Sequence, residues 1–239
     1  MKTLFLKTVF LLSVTVSFVL FLYETDPWGA NINGSLTGTV RYYGSAPLPE
    51  SEAIKSDSEV CGSNYLEETL VNIENKGVKN AIISLKKNSN PTDPGEPEKR
   101  IYLLSKKCHI EPYVTAIQVE NSLSIENSDP ILHVLKFSHK DQVLYTLPLP
   151  PHGKLVKKIN QLGLIQTSCV IHSFMKSYIA VLDTPNYLLS DLNGSFHFQT
   201  LDPGKYRLAI WHKSFGSIEK EIEVPSGKNL NLSFELEQK

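Results

Sequence analysis

Three residues with metal-binding side chains are spaced three apart in one short stretch of the chain. The sequence from Ser168 to Tyr178 places Cys169, His172 and Met175 at these intervals. A thiolate, an imidazole and a thioether together form a soft set of ligands that selects copper. One Cys and two His with a weak axial Met make up the blue-copper set. The stretch therefore supplies three of the four ligands, and a second His must come from elsewhere.

His133 is our candidate for the missing ligand. It follows a turn at Asn127–Pro130 and begins an alternating run that predicts a β-strand. A strand beside the Cys169 loop would bring His133 to the same metal. Two alternatives remain open. In one, His133 is a core histidine and another His is the ligand; in the other, Cys169, His172 and Met175 only pack in a buried loop. His139 and His152 are predicted to be surface residues, and His109 lacks a spacing partner.

The chain has only three cysteines, and export would make their pairing informative. In an oxidising compartment two cysteines would pair. Because Cys169 lies in the ligand loop, Cys61 and Cys108 are the natural disulfide pair. A different pairing and three free thiols remain alternatives, and a bridge to Cys169 would remove the proposed thiolate ligand.

The N-terminus predicts export. Lys2 and Lys7 flank the start of an uncharged apolar run at residues 8–23, which is typical of an export signal. Residues 1–30 are therefore interpreted as a signal peptide or an N-terminal membrane anchor, and cleavage is left open. We expect a periplasmic or other extracytoplasmic location, with attachment to the membrane through residues 8–23 as one form of it.

Composition and turn signals predict an all-β protein. β-branched and aromatic residues dominate short runs that 14 Pro and 13 Gly interrupt. Closely spaced strands over residues 100–183 indicate a β-sandwich, and residues 186–239 read as a small meander. Residues 35–88 would cover that meander, which makes the second domain discontinuous. With 24 Lys+Arg against 25 Asp+Glu, no nucleic-acid partner is expected.

The motifs resemble those of a known family. Residues 100–183 resemble a cupredoxin, the plastocyanin and azurin superfamily. The chain from Gly34 onward is similar to exported plastocyanin-like proteins of the methylamine-utilization type, in the turn at residues 125–133, the Cys-x2-His-x2-Met loop, a Cys near position 108 and the pair Trp211-His212. Residues 190–206 resemble a carboxypeptidase regulatory-like, transthyretin-like domain.

The resemblance implies a Greek-key cupredoxin-like sandwich joined to a small transthyretin-like sandwich. It also implies one copper ion held by His133, Cys169, His172 and Met175. The sequence departs from the family in the residues that surround the ligands, at Val134, Val170 and Ser173. These positions commonly hold Asn, Asp and Pro in relatives, so the tuning of the metal is in question.

The sequence favours an exported electron-transfer protein over an enzyme, because no second group of histidines is present for a catalytic copper. We expect a monomer that meets a redox partner protein, with electrons passing through a solvent-facing edge of His172 and Phe174 in the docking patch. Copper storage or delivery, and a non-redox binding or scaffold module, are the alternative functions.

Overall fold

The computed structural model describes residues 32–88 and 101–237. Almost every described element is a β-strand, which confirms the predicted all-β class. The elements are β1 (Gly34–Tyr43), β2 (Ser51–Ala53), α1 (Ser58–Cys61), β3 (Asn64–Leu66), β4 (Ile82–Lys87), β5 (Ile101–Lys106), β6 (His109–Glu111), β7 (Val114–Gln118), β8 (Ser122–Asn127), β9 (His133–His139), β10 (Gln142–Leu149), β11 (Lys154–Lys158), β12 (Gly163–Cys169), β13 (Lys176–Leu182), β14 (Tyr187–Leu189), β15 (Ser195–Leu201), β16 (Gly204–His212), β17 (Gly216–Val224) and β18 (Asn229–Glu237).

The middle of the chain forms two sheets around one core. Strands β10-β9-β12-β13-β7 make a five-stranded sheet, and β11-β8-β5-β6 make a four-stranded one. Alternation along β9 turns Leu135 and Phe137 inward, where they are 1% and 0% exposed. They meet Leu123 and Ile125 of β8 in a shared hydrophobic cluster. The strands that carry the candidate ligands His133 and Cys169 pack on this core.

The first and last strands of the described residues form a second pair of sheets. Strand β1 lies between β15 and β18, and β4 lies between β14 and β16, with β17 at the far edge. Both sheets contribute to one cluster that includes Leu36, Leu85, Leu208 and Phe234. The Asp191–Gly194 turn leads into β15, with Gly194 at a φ of 75° that glycine adopts without strain.

A segment between these two parts differs from its predicted form. The polar and acidic sequence of residues 46–69 predicts a long loop with a short extended piece. The structure instead folds the segment into a hairpin of β2 and β3 with the single helical turn α1 between them. Ile54, Cys61 and Tyr65 of this segment are buried in the core of the middle sheets. The segment is therefore part of the folded core and not a solvated linker.

The structure leaves some predictions untested. Residues 1–30, and with them the apolar run at residues 8–23, lie outside the described part of the chain. Within the described ranges, no helix has both the length and the apolar character to cross a membrane. The division into a copper domain at 100–183 and a discontinuous second domain, with residues 35–88 packed on residues 186–239, stays a prediction, as does the carboxypeptidase regulatory-like resemblance.

Candidate metal centre

Two neighbouring strands bring His133 and Cys169 to one edge of the five-stranded sheet. β9 begins at His133 and β12 ends at Cys169. The strands pair antiparallel, with Cys169 opposite Leu135. The start of one strand and the end of the other therefore meet at the same edge, and both side chains are buried, at 0% and 3% exposure.

Backbone hydrogen bonds fold the loop after Cys169 back onto its own ends. The Cys169 N–H donates to the Met175 carbonyl at 3.1 Å, and the Met175 N–H donates to the His172 carbonyl at 3.0 Å. The Val170 N–H donates to the Val134 carbonyl at 2.8 Å. This last bond joins the two ligand-bearing loops through backbone atoms, so they are connected although residue 134 is Val and not the Asn that is common in cupredoxins.

The structure brings three of the four predicted ligands together. Nδ1 of His133 lies 3.2 Å from Nδ1 of His172, and Cys169 Sγ lies 3.9 Å and 3.7 Å from those two nitrogens. Ligand atoms bonded to one metal at about 2.0–2.3 Å, in a trigonal arrangement, are separated by roughly 3.5–4.0 Å. The N–N separation is slightly shorter than this range, and the two S–N separations fall within it. The donor set fits a single ion.

Carboxylates bind the outer nitrogens of both histidines. Nε2 of His133 donates to Asp129 at 3.0 Å, and Nε2 of His172 donates to Asp57 at 2.9 Å. Because an ionised carboxylate only accepts hydrogen bonds, each Nε2 carries the hydrogen and each Nδ1 presents its lone pair to the other. Two lone pairs converging beside a thiol require a cation or a proton between them. Such carboxylate–histidine pairs also fix the orientation of metal ligands.

Asp129, which binds the outer nitrogen of His133, is itself buried and hydrogen-bonded. Its side chain is buried, at 5% exposure, and accepts hydrogen bonds from the backbone N–H groups of Lys107 and Cys108, at 2.5 Å and 3.0 Å. Burial by itself raises the pKa of Asp129, but these amides and His133 outweigh burial and lower the pKa below its ordinary value. Asp129 is therefore a buried anion beside His133.

The same balance acts on the two ligands. Burial by itself lowers the pKa of His133, but Cys169 and Asp129 raise it above its ordinary value. Burial raises the pKa of the Cys169 thiol, yet hydrogen bonds with His133, with backbone N–H groups of Val134 and His172, and with the His172 ring lower it to about 6. The site thus favours a thiolate, which is the form that binds metal.

Met175 is fully buried in the hydrophobic cluster that also contains Cys169. Its main chain closes the ligand loop, and β13 begins at the next residue. A role for its thioether as the weak axial ligand stays a prediction.

The expected solvent-facing edge of His172 is wrong. His172 is only 1% exposed and Phe174 only 5%, so neither offers a contact surface. The reason is the 46–69 segment, whose Asp57 binds the outer nitrogen of His172 and whose Tyr65 packs on Phe174 with ring centroids 5.4 Å apart. The exposed apolar side chains next to the ligands in sequence are Leu132, Val170 and Ile171.

A disulfide joins Cys61 to Cys108, and Cys169 is free and buried. The sulfurs of this bridge and a ring nitrogen of His172 all lie within 4.8 Å of one another. Cys108 is likewise within 4.8 Å of Asp129 and His133. The bridge therefore packs against the ligand histidines. Its sulfurs are joined in the S–S bond and cannot act as thiolate ligands.

The other candidate histidines lie apart from this group. Nδ1 of His139 is bonded to the Leu164 carbonyl, and Nδ1 of His109 to the Lys107 carbonyl. His152 sits in a turn at a φ of 56°. Among the described residues, none of the three belongs to a cluster that could hold a metal.

Sequence reasoning missed Asp57 and gave Asp129 no role. Asp57 is 115 positions from His172, in a polar stretch with no motif of its own. The one available signal was the predicted Cys61–Cys108 bridge, which would tether that stretch near the ligand loops. Asp129 lies in the turn at Asn127–Pro130, four residues before His133.

No protein-family profile and no curated protein matches the sequence. Solved structures that the chain matches include the novel purple cupredoxin from Nitrosopumilus maritimus, at 15% identity and a TM-score of 0.32, covering 34% of this chain and 99% of that one. Amicyanin from Paracoccus versutus is 14% identical with a TM-score of 0.33, covering 41% and 98%. A copper-containing nitrite reductase from Thermus scotoductus SA-01 is 19% identical with a TM-score of 0.33, covering 36% and 23%.

Proposed function

We propose that this chain is an extracytoplasmic mononuclear copper protein that acts in electron transfer. The observation that carries the proposal is the convergence of His133 Nδ1, His172 Nδ1 and Cys169 Sγ within 3.9 Å of one another. One thiolate and two imidazoles are the trigonal set of electron-transfer copper sites. The cupredoxin resemblance of residues 100–183 agrees with this choice, and the lysines and apolar run at the N-terminus favour export.

Each residue has a definite part in such a site. His133, Cys169 and His172 would hold the ion, with Met175 as a weak axial ligand, and copper bound there would supply one-electron chemistry. Asp129 and Asp57 keep both imidazoles in the tautomer that presents Nδ1 to the ion. The strands on either side fix the ligands, so that little needs to move when the charge of the site changes.

Burial favours an electron carrier over a copper-delivery protein. His133, His172 and Cys169 are 0%, 1% and 3% exposed, so an acceptor protein has no direct access to the donor atoms. Delivery proteins must exchange their ion by way of ligands that a partner can reach. We therefore rank rapid copper delivery second, and a scaffold without metal third.

The redox partner would meet the side of the site that the 46–69 segment leaves open. Val170 and Ile171 directly follow the Cys169 ligand, Leu132 directly precedes His133, and all three are at least 44% exposed. We expect Val170→Lys to slow electron self-exchange between copies of the chain, because charges would face each other in the encounter. An unchanged rate in Val170→Lys would place electron exchange elsewhere on the surface.

Addition of Cu(II) to the purified full chain tests the proposed function. An intense visible band from thiolate-to-copper charge transfer, at one ion per chain, is the expected result. Cys169→Ala should lose the band, because it removes the thiolate. The matched control is His197→Ala, which removes an exposed histidine of β15 outside the ligand group and should keep the band. A colourless complex would favour storage or delivery, and no binding would favour the scaffold function.

A further inference from the structure

Two attachments hold the 46–69 segment in place, one between the two strands of its hairpin and one just after the second strand. The disulfide ties Cys61 to Cys108, whose own N–H donates to Asp129. At the end of the segment, the buried Glu67 carboxylate binds the Lys213 ammonium and the Tyr113 hydroxyl. These two attachments hold the segment over the outer side of His172.

Asp57 sits at the start of the helical turn that carries Cys61. Its carbonyl accepts hydrogen bonds from the N–H groups of Val60 and Cys61, at 2.9 Å and 2.8 Å. An Asp in this position ordinarily uses its side chain to cap the first helical N–H groups. Here the side chain makes no capping bond and reaches His172 Nε2 at 2.9 Å instead. The turn that positions Asp57 is itself pinned by the disulfide.

Asp57 also has an unusual backbone conformation. Its φ of 51° and ψ of 32° lie in the left-handed region, which Asn, Asp and Gly tolerate best. The residue type thus suits the backbone, while the carboxylate is directed away from its own helix. Among the described residues, Asp57 is the group hydrogen-bonded to the outer nitrogen of His172.

We propose that Asp57 is a positioning residue for His172 and that the disulfide-anchored 46–69 segment seals the outer edge of this ligand. The sealing role rests on the fold alone, and the effect on the metal rests on the proposed function. Asp57 orients the ring so that Nδ1 faces Cys169 and His133. With copper held by His172, the negative charge of Asp57 on the other ring nitrogen would stabilise Cu(II) relative to Cu(I).

The first test uses the metal-free full chain. Diethyl pyrocarbonate modifies accessible imidazole nitrogens, and mass spectrometry assigns each modified His, with the exposed His197 as internal reference. His172 should be protected in the natural chain and react roughly tenfold faster or more in Asp57→Gly, since local opening controls access. Glycine suits the left-handed backbone at this position. Glu59→Gln, an exposed change in the same helical turn, should leave His172 protected.

The second test uses the copper-loaded chain. Asp57→Asn keeps an acceptor oxygen and a compatible backbone but loses the charge. We expect its reduction potential to rise and its Cu(II) affinity to fall about 10- to 100-fold, as for other changes behind a metal-binding histidine. Glu59→Gln should match the natural chain in both measurements. Equal potentials and affinities in Asp57→Asn and the natural chain would overturn the electrostatic role of Asp57.

The two tests separate this inference from the proposed function. If the natural chain binds no copper, the proposed function fails, while the modification of His172 still decides whether Asp57 helps to seal it. If copper binds with the expected band but His172 stays protected in Asp57→Gly, Asp57 has no part in the seal and the copper function stands. The potential and Cu(II) affinity of Asp57→Asn then decide the positioning role by themselves.

Discussion

His133 and His212 are both completely buried in β-sandwich cores, yet their surroundings differ. His133 has Asp129 on one nitrogen, with Cys169 and His172 near the other, and its pKa is raised despite burial. His212 stacks on Phe215 and accepts a hydrogen bond from the Ser214 N–H, and burial lowers its pKa to about 4. Burial alone therefore produces a neutral packing residue. Anionic neighbours on both sides produce a group prepared to bind a cation.

The two regions also differ in covalent cross-linking, and the prediction with the largest expected effect tests this difference. The disulfide spans 47 residues of sequence beside His133 and His172, whereas the region of His212 has no cysteine among its described residues. We expect Cys61→Ala/Cys108→Ala to lose about 4 kcal/mol of unfolding free energy, because the unfolded chain gains the entropy of that open loop. Denaturant unfolding measures the change. A loss below about 1 kcal/mol would show that the cross-link adds little.

Removing the buried anion beside His133 should have the next largest effect. Asp129→Ala leaves His133 and two buried amides unpaired, and we expect a loss of about 3 kcal/mol at neutral pH. The folded pKa of Asp129 is below its unfolded value, so this stabilisation is present above the unfolded pKa and lost as pH falls through the folded pKa. Urea unfolding at several pH values tests both points.

The matched control for Asp129→Ala is Asp141→Ala, which alters an exposed carboxylate in the turn between β9 and β10. Its expected change is within about 0.5 kcal/mol. Equal losses in the two variants would mean that the buried network around His133 contributes no more than a surface charge.

His212 gives a second test of pH dependence, with the same sign as that of Asp129 but at higher pH. Its folded pKa of about 4 lies below the ordinary 6.5, so between these pH values His212 is protonated in the unfolded chain and neutral in the folded chain. Stability should therefore fall as pH drops from 6.5 toward 4, by about 2 kcal/mol between pH 7 and pH 5. His212→Leu should remove that part of the slope, whatever its effect at neutral pH. An unchanged slope would mean that His212 is already protonated in the fold.

The contrast also shows which features the sequence could reveal. Alternating apolar residues identified most strands, because one face of each strand is buried and the other is not, and Cys169, His172 and Met175 share one short loop. Their surroundings could not be read in the same way. The burial of His172 comes from a segment more than 100 residues earlier in the chain, and only the tertiary fold brings Asp57 to it. The polar composition of residues 46–69 concealed two buried anchors, Ile54 and Tyr65.

The smallest expected effect on stability comes from comparing the two aspartates of the site, Asp57 and Asp129. Asp57 is 41% exposed where Asp129 is 5% exposed, although each binds one ligand histidine. Water screens the exposed pair, so Asp57→Asn should cost only about 0.5 kcal/mol of unfolding free energy, against about 3 kcal/mol for Asp129→Ala. Thermal or urea unfolding of the metal-free chain checks this, with Glu59→Gln as the control. A loss as large as that of Asp129→Ala would make Asp57 a structural residue. A small loss, together with a shifted copper potential, would separate its effect on the metal from any effect on the fold.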